Sequence, residues 1–219
     1  MKPFLTAVIP VRKNSQRVKN KNLKKFHNTN LLKIKIDQLK KIKTIDKIIV
    51  NTDSEKAIEL AKINNIDYHR RDKQFASSKC SNSDFWSHIA ETTNSEFIMF
   101  TNCTSPLISL NTLTEFIKIF KLKKNIFDSF NTTTIVKEYL YYKNKPLNFI
   151  VGKTQNSQDL PDIQKFNFAS SIISKNMMLK KKTVIGNKPY LFKLSEVEGF
   201  DIDTEYDFNF AEYLYKKNK

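Results

Sequence analysis

Phe4-Leu5-Thr6-Ala7-Val8-Ile9-Pro10 is the stretch that decides the fold. It is a short, almost unbroken apolar run closed by proline, the form of a strand covered on both faces within a parallel sheet. A strand with one wet face would alternate instead. Lys47-Ile48-Ile49-Val50-Asn51-Thr52 and Phe97-Ile98-Met99-Phe100-Thr101 repeat the form, and Ile66 to Arg70 reads as a shorter strand. Helical spacing fills the intervals. It runs from Leu31 to about Lys43, and from a Ser54 cap through Ile63. A third helix, capped by Asn82 or Ser83, carries Phe85, Trp86, Ile89 and Ala90. A fourth, Leu110 to Lys123, keeps Leu113, Phe116, Ile117 and Phe120 on one face. Alternating strand and helix predict a three-layer α/β fold around a mostly parallel sheet. Ligands of such sheets bind at the carboxyl ends of the strands, so the loops after Pro10, Thr52, Arg70 and Thr101 are the expected site walls.

Beyond Phe127 the pattern changes. Asp128 to Val136 reads as a strand, and Tyr139 to Tyr142 with Leu147 to Ile150 as a hairpin around Asn144-Lys145-Pro146. Residues 154–165 are polar and loop-like. Phe166 to Ile173 resumes the sheet, a short helix follows to Lys180, Tyr190 to Leu194 forms a strand, and Thr204 to Tyr215 closes the chain as a helix. Without a repeat or linker, the expectation is one domain over 1–219, interrupted by an aromatic-rich arm over 137–168. That arm either makes an oligomer contact or covers the sheet.

Composition narrows the chemistry. The 219 residues carry a net charge of +16, from 34 Lys and four Arg against 22 acids. The lysines are spread along the chain with abundant Asn, Ile and Phe, as an AT-rich coding sequence produces, so no nucleic-acid partner is expected. No apolar run is long enough for a membrane span, and the N-terminal apolar stretch is too short for a signal peptide. Cys80 and Cys103 make neither a disulfide framework nor a zinc site, which points to a reducing cytoplasm. No glycine precedes Gly152, which excludes both a GxGxxG fingerprint and a Walker A loop. The arginines are confined to Arg12 and Arg17 in one loop and Arg70 and Arg71 in another. Only arginine supplies a planar fork matched to phosphate and base edges, and both pairs fall in expected site walls.

Two constellations carry chemistry. The loop Pro10-Val11-Arg12-Lys13-Asn14-Ser15-Gln16-Arg17-Val18-Lys19-Asn20-Lys21-Asn22 can surround a triphosphate with charge-assisted hydrogen bonds; otherwise it is a solvated basic loop. In Phe200-Asp201-Ile202-Asp203-Thr204 an extended backbone would project Asp201 and Asp203 to one side, about 6–7 Å apart. Two adjacent carboxylates suit magnesium, which completes its shell with phosphate and water. The alternative is an N-cap, which explains one acid and not both. His27, His69 and His88 share no metal-ligand spacing, and nothing marks a base for Cys103.

Taken together, these residues resemble a known family. Ala7-Val8-Ile9-Pro10-Val11-Arg12-Lys13-Asn14-Ser15 with Lys21-Asn22-Leu23 is similar to the opening motif of the acylneuraminate (CMP-sialic acid) cytidylyltransferases. Ile48 to Asp53 resembles its second-strand motif, and Arg71 with Phe75-Ala76-Ser77 its base-reading loop. Thr104-Ser105-Pro106-Leu107 matches its "TSPL" segment and Asp201-Ile202-Asp203-Thr204 its metal motif. The order is right and the matches span nearly the whole chain.

The resemblance implies a cytoplasmic, dimeric nucleotidyltransferase that couples CTP to an acidic sugar with magnesium, releases pyrophosphate for surface-glycan synthesis, and inserts its arm into the partner's site. By motif, Arg12 and Lys21 hold the triphosphate, with Pro10, Asn14, Ser15 and Asn22 beside the nucleotide. Arg71, Ser77, Cys80 and Asn82 surround cytosine and ribose. Asn102, Thr104, Ser105, Lys165 and Asn167 face the acceptor, and Asp201 and Asp203 hold the metal, Asp203 doubling as a candidate base. The chain departs from the family at Lys19-Asn20 (for proline-glycine), Asn102 (for glutamine), Ile108 (for arginine) and Phe168 (for glycine). Arg12-x-x-Ser15-x-Arg17 also resembles the KDO cytidylyltransferases. KDO or a phosphonate is thus an alternative acceptor, while a nucleotide-sugar glycosyltransferase and a basic nucleic-acid-binding protein are alternative classes.

Overall fold

A computed structural model describes residues 2–13 and 15–217. The chain forms β1 (Leu5–Val11), the short pair β2 (Lys25–Phe26) and β3 (Thr29–Asn30), α1 (Leu31–Lys40), β4 (Lys47–Thr52), α2 (Glu55–Ile63) and β5 (Asp67–Arg70). Next come α3 (Lys73–Ala76), α4 (Asn82–Thr92), β6 (Phe97–Thr101), α5 (Leu110–Lys123) and β7 (Ser129–Val136). The remainder adds β8 (Tyr141–Tyr142), β9 (Lys145–Pro146), β10 (Ile163–Ser174), α6 (Lys175–Lys181), β11 (Pro189–Lys193) and α7 (Glu205–Lys217).

The central sheet has seven strands in the order β11-β7-β10-β6-β1-β4-β5. Only β10 runs against its neighbours; the other pairings are parallel. Strand periodicity divides the core into two layers. Leu5, Ala7, Ile9 and Val11 pack on one face with α1, α5 and α7 residues, while Val8 points to the other face with Ile89, Ala90 and Met178. Met99 and Ile172 belong to the first layer, and their neighbours Ile98, Phe100 and Ile173 to the second. With apolar partners on both sides, these strands need apolar residues at every position, which is why they read as unbroken runs.

Starting at β1, the chain adds β4 and β5 on one side and then returns to place β6 on the other. Such a reversal leaves a crevice outside the carboxyl ends of β1 and β6. Helix starts are fixed by side chains around it: Asn30 Oδ1 accepts from the Lys33 amide at 2.9 Å and Ser109 Oγ from Thr112 at 3.1 Å. Helix α4 is capped by Ser81, whose hydroxyl accepts from the Asp84 amide at 3.1 Å, and not by Asn82 or Ser83. Asn82 is thereby freed to face the crevice.

Four local expectations needed revision. Residues 25–30 form a hairpin within the supposed loop, and α1 ends at Lys40. Strand β10 begins at Ile163 because it pairs with β7 from Val136 back to Thr133 before its register shifts. The expected hairpin is smaller than its apolar flanks: Tyr141–Tyr142 pair with Lys145–Pro146 across Lys143 and Asn144, both at positive φ (48° and 61°), as a tight two-residue turn requires.

Candidate active site

At the crevice lies a cavity of about 370 Å³. Pro10 and Arg12 reach it from the end of β1, with Asn22 from the loop beyond. Arg71, Phe75, Ser77 and Cys80 follow β5; Asn82, Phe85 and Trp86 come from α4. Phe100 and Asn102 end β6, and Phe168 and Asp201 complete the wall. Arg71 is the most firmly held of these. Its Nε donates to Asn51 Oδ1 at 2.5 Å, its Nη2 to the Asn51 carbonyl at 2.8 Å, and its guanidinium lies 4.4 Å from the Phe85 ring centroid. Burial is the main reason its pKa falls to about 10. Even so it stays charged at neutral pH, a planar donor set fixed against an aromatic face.

The aspartate segment is positioned from two sides. Thr204, not an aspartate, begins α7: its hydroxyl accepts from the Asp207 amide at 3.2 Å, and the Asp207 carboxylate accepts from the Thr204 amide at 2.7 Å. This reciprocal cap leaves Asp201 and Asp203 unused by the helix. The Ile202 amide donates to the Thr104 carbonyl at 2.9 Å, tying the segment to the loop after β6. Burial raises the Asp201 carboxyl above its ordinary value and Asp203 adds to this, against a hydrogen bond from Thr104. Asp201 Oδ1 is buried without a protein partner.

The basic loop and the aspartates meet. Arg17 Nη2 lies 2.6 Å from Asp203 Oδ1, across 186 positions of sequence. Lys21 Nζ stands 3.8 Å from the same oxygen and donates to the Ile202 carbonyl. Burial lowers the pKa of Lys21, while Asp201 and Asp203 pull it back up. The donor set suits a hard divalent cation: two carboxylates, one with an orphaned buried oxygen, next to cationic side chains that attract phosphate. Among the described residues no group of three or more His, Cys, Asp or Glu could hold a metal. Any cation here would therefore take its remaining ligands from substrate and water.

A second cavity, of about 730 Å³, shares Asp201 and Phe168 with the first. Its walls include Thr134, Lys137, Glu138, Lys165, Asn167, Glu196, Phe200, Asp203 and Asp207. Asn167 is turned by the Thr132 hydroxyl, which donates to its Oδ1 at 2.6 Å, leaving Nδ2 buried and unpartnered. Gly199 permits this packing, since a Cβ there would lie 2.7 Å from that Nδ2 and 2.3 Å from Thr134 Cγ2.

Most of the residues singled out in the sequence converge here. Pro10, Arg12, Asn22, Arg71, Ser77, Cys80, Asn82, Asn102 and Asp201 line the smaller cavity; Lys165, Asn167, Asp201 and Asp203 line the larger. Asn14 lies outside the described residues. Ser15 and Lys21 line neither cavity, although Lys21 touches the aspartate segment. Thr104 and Ser105 sit behind the wall. Ser105 is fully buried, its carbonyl accepting from the buried Lys35 at 3.3 Å. Asp53 accepts from the Lys13 amide at 2.7 Å, bracing the basic loop. The aromatic walls Phe85, Trp86 and Phe100 were legible only as core positions. Two departures from the family share one conformation: Asn20 and Phe168, standing where glycine is usual, both hold positive φ (each 54°). Asparagine tolerates this region; for phenylalanine it is strained.

A sequence profile described as cytidylyltransferase matches residues 6–219. The chain belongs to the cytidylyltransferase family. It is a CTP-dependent cytidylyltransferase with the nucleotidyltransferase fold. Among curated relatives, this cytidylyltransferase is 24% identical to post-translational flagellin modification protein B of Campylobacter coli, over 97% of this chain and 95% of that one. It is also 24% identical to the N-acylneuraminate cytidylyltransferase of Escherichia coli O18:K1:H7, covering 99% of this chain but spanning only about half (53%) of that protein. A solved CMP-2-keto-3-deoxy-manno-octonic acid synthetase superposes with a TM-score of 0.74 at 10% identity, covering 99% of this chain and all of the other.

Proposed function

We propose that this cytidylyltransferase transfers CMP from CTP to an acidic, nonulosonic sugar and releases pyrophosphate, serving surface-glycan synthesis in the cytoplasm. One observation carries the reading. The basic loop touches the Asp201–Asp203 segment where the two cavities adjoin, which supports reading Arg17 and Lys21 as phosphate-binding and the aspartates as the metal pair between two substrates.

In this reading the smaller cavity takes the nucleotide. Arg71 meets cytosine, with Ser77, Cys80 and Asn82 around base and ribose, and Pro10, Asn14, Ser15 and Asn22 along the nucleotide. Arg12 and Lys21 neutralise the departing pyrophosphate. The acceptor lies in the larger cavity against Lys165 and Asn167, bounded by Asn102 and supported by Thr104 and Ser105. Its anomeric oxygen attacks the α-phosphorus in line, and the bond to the β-phosphate oxygen breaks. Catalysis is mainly positioning and charge neutralisation. Asp201 and Asp203 would hold magnesium, which would supply charge neutralisation at the phosphates. Either Asp203 or solvent takes the hydroxyl proton. The arm over 137–168 exposes Tyr139, Tyr141, Tyr142, Leu147, Ile150 and Val151; an apolar surface of this kind suits a second copy, as a homodimer contact.

The test is pyrophosphate release from CTP with magnesium and a panel of nonulosonic, KDO-type and phosphonate acids. Release is expected with a nonulosonic acid. Turnover confined to KDO or a phosphonate would reassign the acceptor. Release with none of them, or consumption of a CMP- or UDP-sugar without pyrophosphate, would sink the reading.

A further inference from the structure

The residue behind Arg71 is itself held from behind. Arg71 Nε–H can only donate, so the Asn51 atom 2.5 Å away must be the amide oxygen. That choice fixes the whole amide, and its NH2 group faces His69 Nδ1 at 3.1 Å. An amide nitrogen only donates, so Nδ1 must carry a lone pair and His69 must be neutral, with its proton on Nε2. Three side chains, on β4, on β5 and just after β5, are thus joined by two bonds of fixed direction.

From this we infer that His69 is a positioning residue for nucleotide binding: through Asn51 it sets the orientation of Arg71, and protonation of His69 releases that hold. The inference rests on the reading that Arg71 meets the cytosine of CTP. An imidazolium would present N–H to N–H at Asn51, forcing the amide to turn and placing its nitrogen toward the Arg71 Nε–H. Arg71 would keep its bond to the Asn51 carbonyl but lose the one that fixes the plane of the guanidinium. Three of its five N–H donors are left over for a ligand, and their directions depend on that plane.

The surroundings hold His69 neutral at ordinary pH. Burial comes first in lowering its pKa below the ordinary 6.5, Asp72 opposes this, and the Arg71 charge assists. From α4, His88 packs against it with ring centroids 5.3 Å apart. Burial lowers the pKa of His88 to about 4, so it too is uncharged at neutral pH. On β5 itself, Arg70 is turned to Glu55. The hold is therefore in place at neutral pH and is lost only as pH falls through the lowered pKa of His69, below its ordinary 6.5.

The experiment is calorimetric CTP binding, with KM measured alongside, for the wild type, His69→Gln and His69→Leu at about pH 8 and at a pH below the His69 midpoint, which 15N titration of the wild type locates. Glutamine can accept from Asn51 without titrating; leucine cannot accept. The wild type should match His69→Gln at the higher pH and bind CTP about three- to tenfold more weakly than it at the lower, the range one neutral hydrogen bond spans. Comparing the two proteins at each pH cancels the titration of CTP itself. His69→Leu should be weaker by the same factor at both pH values, with the loss in KM for CTP and not in kcat or the acceptor KM. A wild-type to His69→Gln ratio unchanged with pH, or a proton on Nδ1 in 15N spectra of the wild-type histidines, would overturn the inference even if His69→Leu does not fold. Failure of the wild type to prefer CTP over UTP at the higher pH would instead remove the base reading, and the inference with it.

Discussion

The two adjoining cavities are built differently. The smaller, about 370 Å³, stands over the carboxyl ends of parallel strands, and its key cation is braced on every side: Arg71 by Asn51 and Phe85, and Asn51 in turn by His69. The larger, about 730 Å³, is walled by β7, the irregular part of β10 and the segment before α7. Its charges are mixed. Lys137 is committed to Asp162 at 2.6 Å, whereas no described carboxylate pairs with Lys165. Of the departures from the family, Phe168 walls both cavities and Asn102 lines the smaller one where it meets the larger at Phe168 and Asp201. A region that binds an invariant nucleotide can be rigid, while one that meets a variable acceptor tolerates substitution at its walls.

The aspartates between the cavities give the sharpest test, because they should serve both. Asp203→Asn should lower kcat about a hundredfold to a thousandfold with an unchanged melting temperature, measured as magnesium-dependent pyrophosphate release. Near-native turnover would separate the metal from this pair.

Acid stability should break the symmetry next. His88 is buried and stacks on Phe75, a wall of the smaller cavity, at 4.0 Å between ring centroids. Its pKa is lowered to about 4, chiefly by burial. The unfolded chain then binds more protons between about pH 6.5 and 4, so stability falls as pH drops through that window. His88→Phe should flatten this fall, by about 2–3 kcal/mol in denaturant midpoints extrapolated to water. An equal slope in both proteins would place the acid sensitivity elsewhere.

Substrate constants should then divide by cavity. Lys165→Met should raise the acceptor KM about tenfold and leave the KM for CTP unchanged, as loss of one charge-assisted contact would. Arg71→Lys should do the reverse. If both variants move the same constant, the division of labour fails. The smallest effect concerns backbone strain at Phe168, which walls both cavities at φ 54°. Here Phe168→Gly should be more stable than Phe168→Ala by about 1 kcal/mol in thermal melts, the reverse of the usual order.

Much of this was legible before any coordinates. The buried strands announced themselves because parallel strands under two helical layers admit few polar residues, and the site loops followed from the rule that ligands sit at strand ends. The aromatic walls were not, since Phe85 or Trp86 at helical spacing looks the same whether it faces core or cavity. Nor was the start of β10, before Phe166, where polar Gln164 and Lys165 stand opposite Ile135 and Thr134 of β7 only through long-range pairing.

The sequence by itself determined the alternating α/β order, the scarcity of arginine outside two loops, the pair of aspartates and the membership of the family. What only the tertiary structure decided is which side chains hold which. The Arg17–Asp203 contact, the Thr204 cap that frees both aspartates and the chain from His69 through Asn51 to Arg71 all depend on atoms brought within hydrogen-bond reach. Periodicity and composition report on burial, which is a property of a stretch of chain. A hydrogen bond has a direction and a partner, and for residues far apart in sequence these exist only once the chain has closed.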